Sequence, residues 1–252
     1  MKATIKLGLI LILYSSAWAF AKDKKKDEHL IIPANAEYEL KNGIDLLKEH
    51  KLKKANKAFD KAIEEFDLFY QAFAYKAIIA SEEKDFSRSA ELFEQSIQVF
   101  EKYKDFIITK RKQYINNVKA NELNMRMQKV GALTSNNPTS DKDSKDLMAH
   151  RLQELENELH NDQKMQLDAF FRFKYGNTLM ALKKYDQAKK QYLAAVESDP
   201  EYNETYANLS LVYFLEQDYK NALESFNKGK ELGTAFHPQF EQTLKTQMAK
   251  VK

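Results

Sequence analysis

One arrangement of small and aromatic residues recurs along this chain at fixed spacing. The stretch "KKYDQAKKQYLAAVESDP" (Lys183 to Pro200) places Ala188, Tyr192 and Ala195 four and then three residues apart, with a proline five further on. Thirty-four residues later, "QDYKNALESFNKGKELGT" repeats the register with Ala222, Phe226 and Gly229. Near the start, "HKLKKANKAFDKAIEEFD" does so with Ala55, Phe59 and Ala62. Residues three and four apart share a helix face. Small residues let two helices approach closely, and the aromatic one turn on fills the gap toward the next pair. A proline stops the second helix and starts a new unit. The first helix then needs its own small residue where the partner crosses. Gly43 and Gly176 stand twelve residues before Ala55 and Ala188, and Ala77 and Ser210 hold the equivalent positions in two further units.

This 34-residue pattern resembles the tetratricopeptide repeat. Four units are read: about 36–69, with Gly43, Ala55, Phe59 and Ala62; 70–103, with Phe93 and a serine, Ser89, at the usual first alanine; 169–202, with Gly176, Ala188, Tyr192 and Ala195; and 203–236, with Ala222, Phe226 and Gly229. The tryptophan common near the start of family repeats is missing, because the only Trp lies near the N-terminus. The expected fold is all-α: a solenoid of antiparallel helix pairs. Gly233 suits a left-handed cap after the last unit. Residues 237–252, with Phe240, Leu244 and Met248 on one stripe, form a helix suited to covering the open end of the array.

Residues 104–168 break the pattern. A helix is expected from about Asp105 to Met127, with Ile107, Tyr114, Val118 and Met125 on one stripe. Then "VGALTSNNPTSDKDSKD" gives a polar loop over about 129–145. A second helix from near Ser144 carries Met148, Leu152, Leu155 and Leu159 at coiled-coil spacing. An antiparallel hairpin replaces a repeat here. It either satisfies its own apolar stripes, the favoured reading, or dimerises the chain, and it projects from the solenoid or swings its halves apart.

The N-terminus is a separate object. Lys2 and Lys6 precede an apolar run from Leu7 to Tyr14, and Ala19-Phe20-Ala21 follows. That is the layout of a secretory signal over residues 1–21, cut after Ala21. The run is shorter than the ~20 apolar residues of a membrane span, so no stable span is expected after cleavage; retention as an anchor is the alternative. Residues 22–35 read as a charged linker. With no cysteine, disulfides, thiolate metal sites and thiol catalysis are excluded. Forty basic against 37 acidic residues give a net charge of +3, too little to point to nucleic acid.

No catalytic constellation stands out. Of the five histidines, His150 lies four residues before Glu154, and His160 four after Glu156. Such pairs can hold a metal, but they are read as exposed charge pairs, and no metal or cofactor is expected. Glycine-rich phosphate loops and a nucleophile elbow are absent from the sequence. "NETYANLS" holds two glycosylation sequons, at Asn203 and Asn208.

The resemblance implies a non-catalytic scaffold that binds another protein, a peptide or amphipathic helix, on the concave face lined by first helices. On the two best units the implied lining includes Phe170, Phe173, Asn177, Met180, Glu204, Leu211 and Phe214, with Asn208 nearby. This lining is mostly apolar, and the Lys, Arg and Asn cluster by which some family members grip a C-terminal carboxylate is not evident. The same rings and leucines also suit packing against neighbouring helices. With the signal, these features give a scaffold exported to the periplasm or outside the cell. An oligomerising role for the hairpin, a loosely specific holding role and an unrecognised enzyme are the alternatives.

Overall fold

The computed structural model describes residues 32–131 and 141–250, with side chains described for 32–125 and 146–250. The expected signal with Ala19 and Ala21, most of the linker, and the centre of the loop lie outside the described residues. The regular structure among those described is all helical: α1 (Ala34–Lys48), α2 (Leu52–Glu65), α3 (Tyr70–Glu82), α4 (Phe86–Gly131), α5 (Asp141–Gln163), α6 (Ala169–Ala181), α7 (Tyr185–Ser198), α8 (Glu204–Leu215), α9 (Tyr219–Glu231) and α10 (Pro238–Lys250). No described helix is long and apolar enough to cross a membrane. The chain forms two compact units. One joins Pro33–Lys104 to the residues from Lys164 onward; the other contains Asp105–Gln163.

In the repeat unit, α1 packs along α2, α6 along α7 and α8 along α9, and α2 meets α3 as α7 meets α8. The crossing points are the small residues. A Cβ added at Gly43 would sit 2.4 Å from Cε1 of Phe59, and one at Gly176 2.4 Å from Cε1 of Tyr192. Glycine is required there because the aromatic of the second helix lies flat on the backbone of the first. Ser210 uses its position differently, donating its hydroxyl to the Ala222 carbonyl at 2.8 Å. Ala55, Phe59, Ala62, Phe93, Ala188, Tyr192, Ala195, Ala222, Phe226 and Gly229 are all buried. First helices are enclosed on several sides, which is why α3 buries Ala72, Ala74, Tyr75, Ala77, Ile78, Ile79 and Ala80.

Each first helix closes on a left-handed residue: His50, Lys84, Lys183 and Gln217 have φ between +56° and +64°. The next N–H reaches back to the last turn, Lys51 to Leu46, Asp85 to Ala80, Lys184 to Leu179 and Asp218 to Tyr213, each at 2.9 Å. This is the Schellman closure, built here without glycine. Gly233 makes the same closure after α9 with φ of +84°.

The segment 105–163 does not part the repeats, which corrects one of the two expectations for it. Within the repeat unit α3 packs directly on α6. Tyr75 meets Phe171 edge-on with centroids 5.2 Å apart, and Phe93 stacks on Tyr175 at 5.3 Å. The buried hydroxyls of Ser89 and Thr178 lie 3.0 Å apart, and Tyr175 donates to Glu94 at 2.9 Å. The serine that breaks the repeat pattern is therefore part of the joint.

Three boundaries differ from the sequence reading. No helix starts near Asp105: α4 runs unbroken from Phe86, because no proline or glycine intervenes before Gly131. The expected loop of 129–145 is helical at both ends. There α5 starts at Asp141. Ala34 and Asn35 belong to α1, not to the linker.

In the other unit, α4 and α5 are held by more than their leucines. Ile107, Ile115 and Leu155 are buried, but so is Arg111. Its Nε donates to Asp162 at 2.5 Å, and its guanidinium also pairs with Glu158. Lys119 pairs with Glu156 at 2.9 Å. Met125, expected on the inner stripe, is exposed.

Candidate functional site

The face presented by α3, α6 and α8 carries the expected lining, in three different situations. Phe173 departs from the expectation of an accessible groove residue. It is only 9 % exposed, its ring 5.4 Å from Tyr202 edge-on and 6.1 Å from Tyr192. It is core between helix pairs, because the aromatics flanking it leave no solvent side. Phe214 is half-buried between Tyr219 and Phe240, both at 5.6 Å, and so belongs to the seat of α10. Phe170, Met180 and Glu204 are half-buried. Leu211 and Leu215 are 38 % and 46 % exposed, so the open apolar surface of this face comes from α8.

Asn177 and Asn208 form a fixed pair. The Asn177 Oδ1 accepts from the Tyr192 hydroxyl and from Asn208 Nδ2, each at 2.7 Å. With the amides facing this way, both donors converge on one oxygen. They leave Asn177 Nδ2 to donate and Asn208 Oδ1 to accept, neither with another partner among the described residues. Tyr192 is anchored by the same network: burial raises its hydroxyl above the ordinary tyrosine range, against the opposing pull of the neighbouring Asn208 amide.

One turn before Asn177, Lys174 lies over the Phe170 ring at 5.3 Å and the Phe173 ring at 5.8 Å. Burial pulls its pKa down, and the charges of Glu82 and Glu204 push it back up. Neither glutamate closes on it as an ion pair. Ile78, Ser81, Glu82, Phe93, Lys174 and Asn177 line a pocket of about 130 Å³. Sequence reasoning finds Asn177 but misses Lys174, which with Arg172 is one of two cations in an otherwise mostly apolar helix.

The other candidates resolve simply. Asn203 donates to the Leu232 carbonyl at 3.2 Å, and Asn208 to Asn177, so both sequon amides are engaged. His150 and Glu154 lie 3.6 Å apart on an exposed helix surface, and Glu156 turns to Lys119 instead of His160.

Stacked antiparallel helix pairs with small residues at every crossing define a helical-repeat protein. Residues 173–234 match the model of the tetratricopeptide repeat family. Repeats of that family are generally protein-interaction scaffolds. Among solved structures it is similar to TTC0263, a TPR protein of Thermus thermophilus, at 12% identity, covering 85% of this chain and 99% of that one with a TM-score of 0.36. It is similar to PilW, a type IV pilus biogenesis factor, at 10% identity, over 86% and 88% with a TM-score of 0.43. It is similar to pilF of Pseudomonas aeruginosa at 12% identity, over 80% and 78% with a TM-score of 0.36. No curated protein matches the chain.

Proposed function

We propose that the chain is a non-catalytic scaffold of the cell envelope that holds an extended segment of a partner protein along its first-helix face. The oriented Asn177–Asn208 pair carries this reading. One amide donor and one amide acceptor side by side complement the C=O and N–H of a peptide backbone. A helix uses those groups internally, so the pair favours an extended segment over the amphipathic helix that the apolar face also suits. Leu211 and Leu215 add apolar surface beside it. Lys2, Lys6, the run Leu7–Tyr14 and the Ala19-Phe20-Ala21 site support export to the periplasm or beyond.

The test is affinity capture from the envelope fraction of the source cell, with residues 22–252 as bait. The control bait carries Asn177→Ala and Asn208→Ala. Phe173→Glu is unsuitable, since a charge at that buried position would damage the fold. A protein held by the first bait and lost with the second is the expected result. Equal capture by both would remove the groove from consideration. The exposed Leu147, 72 % accessible on α5, favours the second reading, self-association through the hairpin. A mass that rises with concentration while neither bait captures a partner would select it.

A further inference from the structure

The pocket beside the Asn pair has a charge pattern that specifies what enters it. Its floor is apolar, from the buried Ile78 and Phe93. Its rim sets a cation, Lys174, against an anion, Glu82, with Ser81 and Asn177 completing it. No ion pair joins Lys174 to any described carboxylate, and its half-buried ammonium lies over the two rings beneath it. The half-buried Glu204 adds a second negative charge in range of Lys174.

Each class of side chain fares differently here. An incoming carboxylate would gain Lys174 but meet the opposing charges of Glu82 and Glu204. An incoming ammonium or guanidinium would gain Glu82 but crowd a lysine that burial already disfavours. An apolar side chain would bury the floor and strip water from Lys174 and Glu82 without replacing it, which is costly for charged groups. A side-chain carboxamide meets every requirement. Its oxygen accepts from Lys174 and Asn177 Nδ2, and its NH₂ donates to Glu82 and Ser81. Its methylene stem covers Ile78 and Phe93.

We propose that this pocket is a specificity subsite for glutamine or asparagine in the bound segment. The proposal rests on the extended-peptide reading above and deepens it, because the pocket shares Asn177 with the backbone-reading pair. The segment then carries a carboxamide residue next to the stretch held by Asn177 and Asn208.

The probe is a phage-displayed library of random linear peptides, selected on the full chain, on Lys174→Met, on Glu82→Gln and on Asn177→Ala/Asn208→Ala. Helix content and melting are checked for each. The wild-type chain should enrich Gln or Asn at one position by about fivefold or more, the weight of one added hydrogen bond. Lys174→Met should shift that position toward Lys or Arg, and Glu82→Gln toward Asp or Glu, with overall selection retained. Asn177→Ala/Asn208→Ala should select little. Wild-type enrichment of an acidic, basic or aliphatic residue there would overturn the proposal, as would an amide preference unchanged in both pocket variants. Peptides selected in an Asn177-dependent way without amide preference would sink the subsite alone. A wild-type chain that selects no peptide would sink the subsite and the groove together.

Discussion

Gly176→Ala separates local propensity from packing, because the two give opposite signs. In a helix interior alanine is favoured over glycine by about 1 kcal/mol. On propensity alone the substitution stabilises α6. The structure places the new methyl 2.4 Å from Cε1, 2.7 Å from Cδ1 and 2.8 Å from Cζ of Tyr192. That ring has nowhere to go: it is fully buried, and its hydroxyl is bonded to Asn177. Overpacking of this kind costs about 1–3 kcal/mol, and swinging the ring away forfeits a hydrogen bond worth about 1 kcal/mol. The expected net effect is a loss of about 1–3 kcal/mol. Urea unfolding followed by helical circular dichroism would show a lower midpoint with unchanged slope. Adding Tyr192→Leu supplies the internal check. Without the ring the methyl finds space, so Gly176→Ala/Tyr192→Leu should be no less stable than Tyr192→Leu alone. A Gly176→Ala chain with a raised midpoint would refute the account of these crossings, and with it the account of Gly43 against Phe59.

Other consequences can be checked separately. Lys183→Gly should stabilise by about 0.5–1 kcal/mol, since glycine adopts positive φ without strain, read from the same urea midpoint. Thr178→Val leaves the buried Ser89 hydroxyl without its side-chain partner and should cost about 1–2 kcal/mol, while Ser89→Ala/Thr178→Val should recover part of it. Arg111→Met takes the buried cation from Asp162 and one of two arginines from Glu158 and should weaken the α4–α5 hairpin by about 3 kcal/mol, seen as faster hydrogen exchange within 105–163. Alkali should unfold the repeats cooperatively. Burial raises the hydroxyls of Tyr75, Tyr175, Tyr192 and Tyr202 above their unfolded value of about 10. Their contribution is whole below that pH and is lost at about 1.4 kcal/mol per group per pH unit above it. Tyrosinate absorbance from these groups should appear together with loss of helix; ionisation with the helices intact would contradict this.

The stacking of helix pairs is readable in the sequence because close approach admits few residues. Glycine or alanine at Gly176 and Ala188 and a ring at Tyr192 are dictated by distance, and distance repeats every 34 residues. The turns are less readable, since His50, Lys84, Lys183 and Gln217 adopt a glycine-like conformation under tertiary constraint. Arg111 escapes notice because its partners, Glu158 and Asp162, lie far along the chain, and a lone arginine in an apolar stripe reads as surface. Phe173 is misplaced for a related reason: lining and core positions differ by one neighbouring ring, and Tyr202 comes from the loop that leads into the next pair. The site is legible only at Asn177. Lys174 and Glu82 acquire meaning together, across a stretch whose spatial closure no local pattern announces.

The joint between α3 and α6 also bears on how the chain acquires its structure. Most contacts within a helix pair link residues close in sequence, and such contacts form quickly. Ser89 and Thr178 are 89 residues apart, and Tyr175 and Glu94 are 81 apart. Bringing them together closes a loop whose entropy grows with its length. A hairpin that zips first, with Arg111 finding Asp162, shortens that loop before the halves of the repeat array must meet. Topology thus predicts an order: local pairs first, the hairpin next, the hydroxyl joint last. The contact predicted to form last joins two residues that no single repeat contains.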